Sequence, residues 1–273
     1  MRPRRKPIAG LIQGDRKTCA IILDCGNKLG IDEAPTCLMI RPTGDRLSLL
    51  SANDEGIARI ERLYAEVFAC TTCIGVTGCQ ITADPDRVRR RVLARALNSK
   101  VFVIGQALSK NSQRKSGLPY VLANGRLSQT GRKLDAFLGS FGYTIDPNSE
   151  RWYAYSSDLI QHYPGKDKDG DRRPTIAERD NCSAWLRREL ELVRPKVVIL
   201  LGELPSRDFL SRYGLDRSCL AKVPWGCSFE CDIAGWEFAA FVMPHFSYRF
   251  RANFVEAVRL ETAQRIWHHL YSI

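Results

Sequence analysis

Val101-Phe102-Val103-Ile104-Gly105 decides the fold. It is an apolar run of strand length, stopped by glycine, with no polar residue alternating through it. A strand without a polar face must be covered on both sides, as in a parallel sheet held between helices. The same pattern repeats downstream: Trp152-Tyr153-Ala154-Tyr155 ends in Ser156-Ser157-Asp158, Val197 to Leu201 ends in Gly202, and Phe238 to Met243 ends in Pro244-His245. Helical patterns fall between the runs, at Gly131 to Leu138, Thr175 to Val193, Leu204 to Tyr213 and Phe254 to Tyr271. The second of these opens with Thr175 and Glu178, the spacing of a capping box. Strands alternating with helices predict an α/β fold, a three-layer α/β/α sandwich around a central four-stranded parallel sheet. Right-handed crossovers put all four strand C-termini along one edge. Ligands bind in the crevice at such an edge, so topology alone groups Gln106, Asp158, Gly202 and His245 around one site.

Upstream of this pattern, residues 1–50 read as a separate basic extension with two short strand-like runs, Cys19 to Asp24 and Cys37 to Arg41. Residues 51–273 read as the main domain. It opens with a helix carrying Ile57, Ile60, Leu63, Tyr64 and Phe68 on one face, which leads to Cys70. A second helix begins at Asp84-Pro85-Asp86 and bears Arg87, Arg89, Arg90, Arg91 and Arg95. Such an arginine run is a solvated face or a DNA contact.

The 273 residues are 44% hydrophobic and 26% charged, which excludes wholesale disorder. Lys and Arg number 41 against 30 Asp and Glu, a net charge of +11. That excess favours an acidic partner, with nucleic acid the commonest and acidic metabolites the alternative. No apolar run is long enough to cross a membrane. The N-terminal Met-Arg-Pro-Arg-Arg-Lys-Pro has no apolar stretch behind it, so no secretory signal is read and a cytoplasmic location with access to the chromosome is expected. In that compartment the ten cysteines stay reduced. Cys70 and Cys73 have the spacing of half a metal site, and the plain alternative is inert buried thiols. Cys227 and Cys231 lie in a hairpin pattern and read as core.

The ordered set of motifs resembles the uracil-DNA glycosylase superfamily, closest to its iron–sulfur family 4 branch. Strand then Gly-Glu-Ala-Pro-Gly is matched by Val103-Ile104-Gly105-Gln106-Ala107-Leu108-Ser109, Gly-x-Pro-Phe by Gly117-Leu118-Pro119-Tyr120, and Gly-x-x-Leu-Asp by Gly131 to Asp135. Asp158 stands where that family has its base-reading Asn. Pro174-Thr175, Glu178, Cys182 and Arg194-Pro195-Lys196-Val197 follow in order, and His245-Phe246-Ser247-Tyr248-Arg249 stands for His-Pro-Ser then Arg. The resemblance covers roughly residues 55 to 273.

It implies a monofunctional DNA glycosylase that flips uracil out of DNA and hydrolyses its N-glycosidic bond. His245 is then a donor to the leaving uracil anion, a contact typically worth ~3 kcal/mol. Gly105, Ala107, Tyr120, Asp158 and His245 surround the base, with Tyr120 stacked on it. Gln106 replaces a water-positioning Glu; an amide orients water but cannot take its proton. Asp158 is therefore either the base reader or the group that steers water and stabilises the cationic sugar. Leu108 and Phe246 in place of prolines widen the expected range to other deaminated bases. With no catalytic carboxylate at Gln106, the alternative is a binder of uracil-containing or abasic DNA that does not turn over.

Cys70, Cys73 and Cys182 match three of the family's cluster ligands, and His162 falls at the fourth. Cys79 is a rival. A [4Fe–4S] cluster is expected, with zinc or no metal as alternatives. DNA contacts are expected from Ser109, Lys110, Ser247, Tyr248, Arg249 and Arg251, and the protein is expected to act as a monomer.

Overall fold

A computed structural model describes residues 53–73, 93, 95–109, 116–168, 170–213, 225–247 and 252–271. The expected extension over residues 1–50, most of the arginine-bearing helix, Cys79, Lys110, Tyr248, Arg249 and Arg251 lie outside the described residues. Arg95, the described member of that run, turns inward and donates to the carbonyls of Ser149 and Arg151 at 2.5 Å each.

The main elements are α1 (Asn53–Ala69), β1 (Val101–Ala107), α2 (Gln129–Gly139), β2 (Tyr143–Thr144), β3 (Trp152–Tyr153), β4 (Tyr155–Ile160), β5 (Lys166–Asp167) and β6 (Gly170–Asp171). There follow α3 (Ile176–Val193), β7 (Val197–Leu201), α4 (Glu203–Tyr213), β8 (Ser228–Ile233), β9 (Trp236–Met243) and α5 (Ala252–Tyr271). The central sheet runs β4-β1-β7-β9-β8. Its first four strands are mutually parallel, as expected.

Two details correct the sequence reading. The sheet has five strands rather than four, because β8 pairs antiparallel with β9. Buried Phe229, Cys231 and Ile233 alternate in β8 with exposed Glu230 and Asp232, the mark of a half-covered edge strand. The strand expected at Trp152–Tyr155 divides: Trp152 and Tyr153 pair with β2, while the main-sheet strand begins at Tyr155 and continues to Ile160. Asp158 thus lies inside a strand and not after its end. Its ladder with β1 lets two polar residues, Ser157 and Asp158, stay extended.

Helices cover both faces. Ile60 of α1, Leu186 and Leu190 of α3, and Phe209 and Leu210 of α4 pack on one side with Phe102 and Ile104. Leu134 and Leu138 of α2 and Ile266 and Leu270 of α5 pack on the other with Val101 and Val103. The capping box at α3 forms as read: Thr175 Oγ1 accepts from Glu178 N at 3.2 Å, and Glu178 Oε2 accepts from Thr175 N at 2.7 Å. Asp135 of α2 accepts from Thr144 Oγ1 at 2.5 Å and Ile145 N at 3.0 Å, so it pins the helix to the β2 turn. From β1 the chain moves outward to β4 and then crosses to β7 on the opposite side, so strand order reverses at β1. That reversal opens the crevice.

Candidate active site

The site starts from an absent side chain. Gly105 of β1 is the ladder partner of Asp158 in β4. A Cβ on Gly105 would overlap Asp158 Oδ1 and stand 2.8 Å from the Tyr120 hydroxyl. Glycine here lets a carboxyl group and a phenol meet above the sheet. A second glycine seats the phenol. A Cβ on Gly131, in the first turn of α2, would stand 2.7 Å from the Tyr120 carbonyl oxygen. Tyr120 itself has φ +65°, a left-handed conformation that costs a non-glycine residue roughly 1 kcal/mol or more. Backbone strain of this kind is held by its surroundings, here the Ser128 N–H, which donates to the Tyr120 carbonyl at 2.8 Å.

Asp158 is buried. Burial, and then the charge of Glu189, push its carboxyl up to about 8. At neutral pH it therefore keeps its proton and presents one O–H donor and one C=O acceptor side by side. Burial and the neighbouring Asp158 charge also push the Tyr120 hydroxyl well above its usual value, so it too stays protonated.

His245 follows β9 at the same edge, its Cβ packed 3.6 Å from where a Cβ on Gly202 would lie. The Ser247 backbone N–H donates to His245 Nδ1 at 3.2 Å, and Ser247 Oγ lies 2.7 Å from the same nitrogen. Nδ1 is thus an acceptor, and the proton of the neutral ring stands on Nε2. Burial, and then the charge of Arg259, lower its pKa and keep the ring neutral. Arg259 is held over the Phe246 ring at 4.3 Å. A neutral imidazole with a fixed N–H is a donor that does not titrate in the working range.

The topology therefore brings Asp158, Gly202 and His245 to one edge, as expected, with Tyr120 above Gly105. Gln106 differs. Successive strand residues alternate faces, so its side chain leaves β1 opposite Gly105 and Asp158. Ala107 is the ladder partner of Ile160. Ser109 and Ser247 are exposed at the rim.

Sequence reading missed the carboxylate behind the site. Glu189 is 1% exposed and occupies the apolar stripe of α3 with Leu186, Leu190 and Val193. A Glu at a core position of a helix was the available signal.

The cysteine corner is less complete. Asn181 Nδ2 lies 3.5 Å from Cys73 Sγ, and Cys182 Sγ lies 3.9 Å from His162 Nδ1. His162 Nε2 meets Glu178 Oε1 at 3.3 Å, and Arg172 holds that carboxylate at 2.7 and 2.9 Å. Burial opposes ionisation of Glu178, but Arg172 and the Thr175 cap hold it down at about 2. An imidazole that faces a thiol and is braced behind by a carboxylate is oriented as metal-bound histidines are. Cys70 stands apart, with its Sγ 3.5 Å from Thr72 Oγ1. Among the described residues no three His, Cys, Asp or Glu side chains stand together closely enough to hold an ion. The donor types fit a thiolate–imidazole centre; the quartet does not close.

The chain is 33% identical over 122 residues to the type-5 uracil-DNA glycosylase of Pyrobaculum aerophilum, a match covering 43% of this chain and about half, 51%, of that protein. It is 23% identical over 166 residues to the type-4 uracil-DNA glycosylase of Archaeoglobus fulgidus, covering 60% of this chain and 70% of the relative. It is 25% identical over 164 residues to the type-4 enzyme of Sulfurisphaera tokodaii, covering 60% and 64%. The profile of the uracil DNA glycosylase superfamily matches residues 94–270, from before β1 to the end of α5, and the chain belongs to that superfamily.

Proposed function

We propose that the protein is a monofunctional DNA glycosylase that takes uracil, and other deaminated bases, out of DNA in base excision repair. The observation that carries this reading is the pairing of two fixed neutral donors, Asp158 and His245, at one sheet edge. An extruded uracil presents an N3–H beside a carbonyl. A protonated Asp158 answers both, accepting from N3–H and donating to the carbonyl as an amide would. His245 Nε2–H donates to the carbonyl whose charge grows as the glycosidic bond breaks. Because that charge is larger in the transition state, the contact lowers the barrier. Tyr120 stacks on the base. Of the two roles open to Asp158, its retained proton supports base reading. Gln106 is given no proton transfer, and no Lys at a motif position would form a Schiff base.

Ser109 and Ser247 at the rim, with Lys110, Arg249 and Arg251 close to them in sequence, would supply phosphate contacts, and Tyr248 a wedge into the vacated stack. Residues 1–50 form a basic extension to this domain. A structural [4Fe–4S] cluster would take Cys70, Cys73, His162 and Cys182, and would tie the segment before β1 to the segment after β4; zinc suits the same donors. No step of the reaction passes through it.

The test is strand scission. End-labelled uracil DNA treated with the pure protein and then alkali should break at the uracil. A mobility shift without scission selects the non-catalytic binder, a reading favoured by the absence of a carboxylate at Gln106. Affinity should fall ~10³-fold or more between 50 and 200 mM salt if several Lys and Arg contacts hold the backbone.

A further inference from the structure

Directly behind the site, on the opposite face of β4, a buried carboxylate has every acceptor position taken. Glu189 Oε1 accepts from the Tyr64 hydroxyl at 2.7 Å and the Tyr155 hydroxyl at 3.2 Å. Its Oε2 accepts from Ser157 Oγ at 2.5 Å and Gln161 Nε2 at 3.1 Å. Gln161 Nε2 also reaches Ser157 Oγ at 2.8 Å and the Asp158 carbonyl oxygen at 3.4 Å. The cluster thus joins α1, α3 and both sides of the residue proposed to read the base. Its donors are all neutral. A buried carboxylate without a cation is costly, and this one sits against the strand that carries Asp158.

We propose that Glu189 is a positioning residue for Asp158: through Ser157 and Gln161 it fixes the end of β4, and its charge, acting across the strand, holds Asp158 as a neutral acid for the base. This rests on the reading of Asp158 as the base-binding group. The titratable groups facing the pair are Tyr120 from the loop before α2, Tyr64 from α1 and Tyr155 from β4. Burial pushes the Tyr120 and Tyr155 hydroxyls well up, so both stay neutral. The two carboxyls are left to exchange charge near neutrality. Burial pushes Glu189 up to about 7 against the pull of its four donors, and burial, then the charge of Glu189, pushes Asp158 up as well. A narrow crevice lined by Tyr64, Leu108, Gly117, Pro119, Ser157 and Gln161 lies beside the cluster.

The experiment is an infrared titration of the full-length protein, with the Asp158 carboxyl band assigned by its loss in Asp158→Asn. Glu189→Gln keeps the shape of the side chain and removes the charge. The Asp158 midpoint should fall by about one pH unit or more. Ser157→Ala removes a donor to Glu189, lets Glu189 protonate sooner, and should move the midpoint the same way by less. An Asp158 midpoint unmoved in both variants overturns the proposal. Single-turnover excision of uracil should show its alkaline decline displaced by the same amount; a decline at the unchanged pH also overturns it. If the midpoint moves but no protein excises uracil at any pH, the link between Glu189 and Asp158 stands and the glycosylase reading falls.

Discussion

At the sheet edge, Asp158 stands beside Gly105 because a backbone ladder sets the register. In the cysteine corner, Cys73 and Cys182 come from segments that no ladder joins, and they meet their neighbours only through side chains. The edge is assembled by the fold alone. The corner brings Cys182 to His162, which is braced by Glu178 and Arg172, and leaves the expected quartet open. Residues placed by strand register stand in position through the backbone; the corner's donors come from a helix, a helix end and a loop that no register aligns.

The largest expected effect breaks or keeps the edge. His245→Ala should slow single-turnover excision of uracil by about 10²–10³-fold, the usual cost of one such donor, while DNA binding changes little. Near-normal cleavage would dissolve the pairing of Asp158 with His245.

The next effect depends on pH. The Asp158 carboxyl, raised to about 8, loses its proton as pH rises through that value. Excision should therefore fall above it, by up to ~10-fold per pH unit, while Asp158→Asn should cleave within ~10-fold of the parent at neutral pH and show no such decline. A rise in rate through the same range would mean that Asp158 acts as an anion. Stability has the same sign. Asp158 and Glu189 bind protons more tightly folded than at their usual 3.8 and 4.5, so their contribution is full below those values and is lost as pH rises through about 8 and 7 respectively. The melting temperature of Asp158→Asn should exceed that of the parent at pH 9 by more than at pH 5.

The corner gives a smaller effect on rate and a plain one on composition. Anaerobically purified protein should be brown, with broad absorbance near ~400 nm, and Cys182→Ser should lose colour and melting temperature together while the folded fraction still excises. Colourless protein with neither iron nor zinc by elemental analysis would return these cysteines to the core. Smallest of all, Thr175→Ala should cost about 1 kcal/mol in denaturant unfolding and leave the rate untouched, since the capping box serves α3 and not the chemistry.

What the sequence disclosed follows from the range of each signal. Three of the four parallel strands, β1, β7 and β9, were legible because each is an unbroken apolar run, and the Thr175–Glu178 cap because it is local. The edge strand β8 was hidden by its alternation, which reads equally as a surface hairpin. Asp158 was found, but not its place inside β4, because its extended conformation depends on β1 being beside it. Glu189 was missed because its partners lie 125, 34, 32 and 28 residues away in the chain. The left-handed backbone of Tyr120 gives no local sign either; it follows from how closely Gly131 approaches it.

Because β4 turns Asp158 to one layer and Ser157 to the other, the two sides of the molecule are set by chain length as much as by residue type. Side chains in a strand repeat every two residues, so inserting or deleting a single residue between Tyr155 and Asp158 would send the Asp158 carboxyl into the Glu189 cluster and a serine over Gly105. Substitutions in this strand can be graded by chemistry, but a change of one in its length cannot be graded at all. Among natural variants of this chain, gaps should be absent from β4 and collect instead in the connections on either side.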